Sequence, residues 1–416
     1  MRRYGRWGAG ALALGFAMMS GPATDTHTPI ASRWNYAEHL FPIFRDNCGS
    51  CHREGGIAPM SLVTYREAYP WAQSIREEVL GLRMPPWKAE DGFGDFRNGH
   101  ALPARDMDMI LEWSSGGYPQ GPRNVRLDPV GEPPAWPLGT PMLELAMAEP
   151  FTLDAGTSEA VRYFVLPSQT PEDRWVTGVD VMPGAGAVVR DVAIYIDASG
   201  AARAIDAGDP EAGFAAGGDG DFPTAAPVAL WSPGRPSVLH DGAAHLLPAG
   251  ADVVIRVHYK KTWITEGEGF SDQSTIGLYF AAGDTAPIES MLVSSTAGAG
   301  GPTITFGASL DEEVSVLGML PEIEIAARDV RVVAVTPDGS RVPMLFLREP
   351  DNAWPTRYWF DAPVTLPAGT MLEVDAVIRP GASHAPGESL FGADTAAPIR
   401  LLVSYARAPG LAGALP

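Results

Sequence analysis

Cys48-Gly49-Ser50-Cys51-His52 is the stretch that decides how the first quarter of this 416-residue chain is read. A C-x-x-C-H run is the attachment signature of c-type haem. The two thiols form thioether bonds to the vinyl groups, and the adjacent imidazole ligates the iron from the proximal side. Both sulfurs and the imidazole must reach one macrocycle from a single turn, so the spacing is part of the chemistry. A C-x-x-C disulfide or half of a zinc site is the plain alternative. Cys48 and Cys51 are the only cysteines, however, so no second pair completes a zinc site.

Upstream of the motif, residues 1–25 have the layout of a signal peptide: Arg2, Arg3 and Arg6, an apolar run over 7–19, then the small residues Ser20, Gly21 and Ala23. The run is shorter than the roughly 20 residues of a spanning helix, which favours a cleaved segment over a membrane anchor. The expected destination is the periplasm or another extracytoplasmic space, where c-type haem is attached.

Downstream, residues 27–122 read as mainly helical. Ala68, Trp71, Ala72, Ile75, Val79 and Leu82 recur at helical spacing, and Met107, Ile110, Leu111 and Trp113 mark a further helix that stops at Gly116-Gly117. The iron needs a sixth ligand, and a thioether suits electron transfer because it raises the potential. Met60, Met84, Met107 and Met109 are near in sequence. Met84 is favoured, because the prolines after it restrict the backbone and aim the side chain.

This segment resembles a family of bacterial periplasmic cytochrome c modules over residues 44–119. The resemblance runs through Cys48-Gly49-Ser50-Cys51-His52, Ile57-Ala58-Pro59-Met60-Ser61-Leu62 with Tyr65, Met84-Pro85-Pro86-Trp87, Trp113 and Gly117. It implies that Met84 and His52 are the axial ligands of one haem c held by Cys48 and Cys51.

Residues 123–141 are Pro- and Gly-rich and read as a semi-rigid linker. From about Leu143 the pattern changes to short β-rich runs, among them 161–165, 176–181, 188–196, 253–259, 275–280, 330–335, 342–347, 371–378 and 399–405. Residues 201–227 read as a long loop. Leu247-Pro248-Ala249-Gly250 and Leu366-Pro367-Ala368-Gly369 each lead into a strand, a weak repeat that points to two similar sandwiches. The expected fold is therefore multidomain: an all-α cytochrome c domain (27–122) followed by two all-β, jelly-roll-like sandwich domains (142–285 and 286–410).

The β region resembles the copper type II, ascorbate-dependent monooxygenases, the peptidylglycine hydroxylating and dopamine β-monooxygenase group. The match rests on Val257-His258-Tyr259, on Asp272-Gln273-Ser274-Thr275-Ile276-Gly277-Leu278-Tyr279-Phe280, on Thr336-Pro337-Asp338-Gly339-Ser340 and on Leu366-Pro367-Ala368-Gly369-Thr370. It implies one copper in each sandwich, held by imidazoles and one thioether. Most of those ligands are missing. His258 matches a ligand of the first site, a vestigial copper position. The paired histidines of that site correspond to Arg190-Asp191, and the His-x-His of the second site to Glu322 and Glu324. The thioether position falls in residues 392–396, which hold no Met. Copper is not expected. His240, His245 and His384 lie in loops without metal spacing.

The formal net charge of -20 argues against nucleic acid and anionic membrane surfaces as partners. No P-loop, G-x-S-x-G or H-E-x-x-H run is present. The leading expectation is an exported one-haem electron carrier. Its β region would bind a redox partner protein or a larger membrane-associated assembly. A haem-fused copper monooxygenase is the alternative, and a haem-based sensor with a labile Met84 is a third reading.

Overall fold

The computed structural model describes residues 31–128, 130–131, 134–215, 226–384, 389–391 and 396–407. The expected signal segment and most of the expected copper-thioether segment lie outside them. Among the described residues, nineteen strands stand against five short α-helices. The chain is mostly β, and the strands define its architecture.

Strand Asp252–Lys260 shows why the sequence folds this way. Val253, Val254, Ile255, Val257 and Tyr259 are all essentially inaccessible. Alternate side chains point to opposite faces of a strand, so buried apolar residues on both faces mark a strand covered on both sides. Val253, Ile255 and Val257 enter one core, with Val192, Ile276 and Leu278. Val254 enters another, with Tyr195, Leu320 and Leu402. The strand is the centre of a five-stranded sheet, flanked by Glu159–Pro167 and Val189–Asp197.

Two sandwiches are present, but they are not separate bodies. One eight-stranded sheet backs both. It runs Leu143–Ala146, Thr275–Phe280, Arg174–Met182, Ala243–Leu247, Ala286–Ser294, Ile399–Arg407, Val314–Ile323 and Tyr358–Leu366. The five-stranded sheet covers its first half. A four-stranded sheet (Thr303–Ser309, Met371–Ile378, Ala327–Val335, Arg341–Arg348) covers the second half. The two halves meet in a short parallel pairing, Ala243 with Ala286 and Ala244 with Pro287. Residues 201–227, expected to be all loop, open with the helix Ala201–Asp206.

The expected all-α domain is also corrected. Within residues 31–122 helix covers only 36–47, 65–80 and 104–115. Tyr36, Phe44, Ile110 and Trp113 form their core. The segment between the last two helices belongs to the β region. Ala89 bridges to Leu347 and Phe96 to Phe360. Trp87 is buried in the core of the second sandwich, 4.9 Å from the Tyr358 ring. Pro85 and Pro86 forbid a continuing helix. Gly94 lets the backbone come close, since a Cβ there would lie 2.6 Å from the Met344 carbonyl oxygen. Burying a large apolar ring such as Trp87 contributes about 1.5–3 kcal/mol, and only a core supplied by another part of the chain makes that available.

Candidate functional site

Helix Phe41–Asn47 ends at Cys48, whose N–H still reaches the Phe44 carbonyl at 3.0 Å. The chain then turns tightly: the N–H groups of Cys51 and His52 both donate to the Cys48 carbonyl, at 3.1 and 2.8 Å. This turn places Cys48, Cys51 and His52 on the wall of one cavity of about 190 Å³. Phe44, Ile57, Leu62, Ile75, Val79 and Ile110 make that wall apolar.

The thiols are not joined to each other. Burial, helped by Cys51, pushes the Cys48 thiol up to about 12. Burial also raises Cys51, against the opposing influence of the Ser50 hydroxyl and of Arg235, Arg190 and Arg53. His52 is held by one ring edge, with Nδ1 3.0 Å from the Met60 carbonyl oxygen. A carbonyl only accepts, so Nδ1 carries the proton and Nε2 keeps a free lone pair. Burial lowers the His52 pKa, which keeps the ring neutral and able to ligate a metal.

Of the four candidate methionines, Met60 and Met84 line the cavity. Met107 and Met109 pack in the helical core instead. Met60 is tied through its carbonyl to the Nδ1 side of His52, away from Nε2. Met84 arrives from a different segment, after the helix Ala72–Leu80. The Met84-Pro85-Pro86-Trp87 run thus divides its labour. Met84 faces the cavity, and Trp87 anchors the run in the β core.

No pattern in the sequence signals that the β region closes this cavity. Arg190, Pro233, Gly234, Arg235, Thr262 and Trp354 all line it. Gly234 has φ +75°, and a Cβ there would lie 2.5 Å from Ser50 Oγ and 3.1 Å from Cys51 Sγ. The Cys51 thiol donates to the Pro233 carbonyl at 3.6 Å. The Arg190 guanidinium stands 3.3 Å from the Trp354 ring centroid, and that of Arg235 4.8 Å from Trp87. Burial lowers the pKa of both arginines. Two cations therefore face the thiol turn.

The positions matched to copper ligands also come together, with different chemistry. Asp191 pairs directly across the sheet with His258. His258 Nδ1 lies 2.8 Å from Asp191, and Nε2 lies 2.7 Å from Glu159. Carboxylates only accept, so both ring nitrogens are donors and neither is free for a metal. Burial works to lower the His258 pKa, but the bonds to Asp191 and Glu159 outweigh it and raise it. Asp191 also accepts from Arg256 at 3.3 Å. In the second sandwich, Glu322 and Glu324 both grip buried Arg400, at 3.0 and 2.7 Å. Glu322 further accepts from Ser389 and the Leu390 N–H, and Glu324 lies 3.1 Å from His384. These carboxylates form a buried ion-pair network.

No family model matches the chain. No curated protein matches it either. Among solved structures, a Paenibacillus xanthan lyase overlaps 67% of this chain and 27% of its own at 12% identity, with a TM-score of 0.17. The VP2 subviral particle of infectious bursal disease virus overlaps 66% and 79% at 10% identity, with a TM-score of 0.15. An oxalate decarboxylase overlaps 70% and 85% at 8% identity, also with a TM-score of 0.15. This chain thus spans about a quarter of the lyase. Overlaps this weak carry neither a fold nor a function to it.

Proposed function

We propose that this protein is an exported c-type haem protein that carries single electrons. The observation that carries the reading is the convergence of two thiols, an imidazole with a free Nε2, and a thioether on one apolar cavity. That donor set fits a haem c. Cys48 and Cys51 would hold it covalently, and His52 Nε2 and Met84 would ligate its iron. When bound, the group accepts and returns one electron.

The chain's own residues set the conditions for that chemistry. The Met60 carbonyl fixes the His52 ring and its proton. Phe44, Leu62, Ile75, Val79 and Ile110 exclude water, which strengthens nearby charges. Arg190 and Arg235 place positive charge at the wall, and positive charge favours the state with the extra electron. Arg2, Arg3 and Arg6 with the apolar run after them support export. The β region supplies a wall of the cavity and the remaining surface for a redox partner.

The decisive experiment is to purify the exported chain, load it with copper, and quantify covalent haem and copper together. One haem per chain and no retained copper is the expected result. A chain without covalent haem overturns the reading. Tightly held copper would move the assignment to the monooxygenase.

A further inference from the structure

A second cavity lies on the other side of Arg235, between the two halves of the eight-stranded sheet. Its volume is about 40 Å³, and Thr177, Ser232, Arg235, His240, His245 and Arg357 line it. Arg357 is 3% exposed. Its two terminal nitrogens donate to the Pro227 and Val228 carbonyls, at 2.6 and 3.3 Å, and its guanidinium stacks 5.0 Å from the Trp359 ring. Nε is buried without a partner. No carboxylate among the described residues pairs with Arg357. His245 Nε2 is likewise buried and unpartnered. Burial, reinforced by Arg97 and Arg357, pushes the His240 pKa down to about 3. Burial also lowers that of His245, with Arg357 and His240 adding to the effect. Both rings are neutral, so neither offsets nor adds to the arginine charge.

A guanidinium does not shed its proton, so a buried one needs a counter-charge. Here the described residues supply only carbonyl dipoles and the face of the Trp359 ring. The unpartnered Arg357 Nε and His245 Nε2 belong to residues that line the same small space, and a second cation, Arg235, shares its wall; a neutral His245 donates from Nε2 in the tautomer that carries its proton there. A water occupies about 30 Å³ in the liquid. The cavity therefore has room for one small ion.

We propose that this cavity binds a small monovalent anion, of halide or nitrite size, held by Arg357 Nε and His245 Nε2. The site sits between the sandwich halves, so the anion acts as an electrostatic rivet at their junction. It stands independently of the haem reading.

Iodide alone is the probe, on the full-length protein as exported, at constant ionic strength balanced with gluconate, which is too large to enter. A saturable rise of the thermal midpoint with iodide is expected, because a ligand that binds only the folded state stabilises it. Crystals grown in iodide should show one anomalous peak between Arg357 and His245. Arg357→Met should abolish both signals. If that variant does not fold, His245→Leu, which keeps the cation and removes one donor, should weaken iodide at least about tenfold, the size of a lost hydrogen bond to a charged group. Absence of the peak, with water alone in the cavity, overturns the proposal. So does an iodide response unchanged in His245→Leu or Arg357→Met.

Discussion

The thiol turn and the copper-like positions of the sandwiches hold similar ligand chemistry in opposite states. At residues 48–60 and 84 the donors converge on open apolar space, and His52 keeps one nitrogen free. At His258 and at Glu322 with Glu324, every donor already has a protein partner. A group that can bind a cofactor has to be positioned and yet left unsatisfied. A group that holds a core together has to be satisfied. Side-chain identity alone does not separate the two cases. The partners around each donor do.

Several substitutions sharpen or break this contrast. The largest effect is expected from Cys51→Ala, which would remove one of the two proposed thioethers: haem that survives denaturation and stays on the chain should fall to near zero. Full retention would mean that the turn does not act as a unit. Next, Arg400→Met strands two buried carboxylates. Breaking one side of a buried pair costs about 3–5 kcal/mol. Urea unfolding should show a lower midpoint at unchanged slope, with the haem content intact. A haem loss matching the stability loss would show the two regions to be one cooperative site.

Met84→Ala should keep the haem covalently attached, abolish the methionine-to-iron absorption band and lower the potential, measured by redox titration. An unchanged band passes the role to Met60. The smallest effect belongs to His258. Its folded pKa is raised above the unfolded value of about 6.5. Its charged form therefore stabilises the fold fully below about pH 6.5, and that contribution fades as pH rises through the raised folded value. His258→Gln should flatten this part of the stability profile and leave the haem spectrum unchanged. A variant profile parallel to that of the wild type would mean that the carboxylates do not hold the imidazole charged.

What the sequence made legible was local. The turn at Thr336-Pro337-Asp338-Gly339-Ser340 joins the hairpin Ala327–Val335 and Arg341–Arg348, with Gly339 at φ +86° and the Thr336 N–H bonded to the Ser340 carbonyl. Both Leu-Pro-Ala-Gly runs precede strands, Asp252–Lys260 and Met371–Ile378, and their glycines have positive φ. The strand at 253–259 announced itself by composition. What stayed hidden was long-range. Trp87 and Phe96 look like parts of a helical unit until Tyr358 and Phe360 are seen beside them. The shared sheet hangs on Ala243, Ala244, Ala286 and Pro287, residues with no pairing signature. Arg190 read as a lost copper ligand, yet it faces the thiol turn from across the fold.

The contact of Gly234 with Ser50 and Cys51 also imposes a chronology. More than 180 residues separate the loop from the thiols that it covers. In the proposed export from the N-terminus, the C-x-x-C-H turn would emerge long before residue 234. Any catalyst that modifies Cys51 has that interval in which to work. Once the loop has closed, the same sulfur is shielded by backbone that leaves no room for a methyl group. On the proposed reading, geometry orders biogenesis: attachment would come first and closure second, and the bond would end under a cover that was not there when it was made.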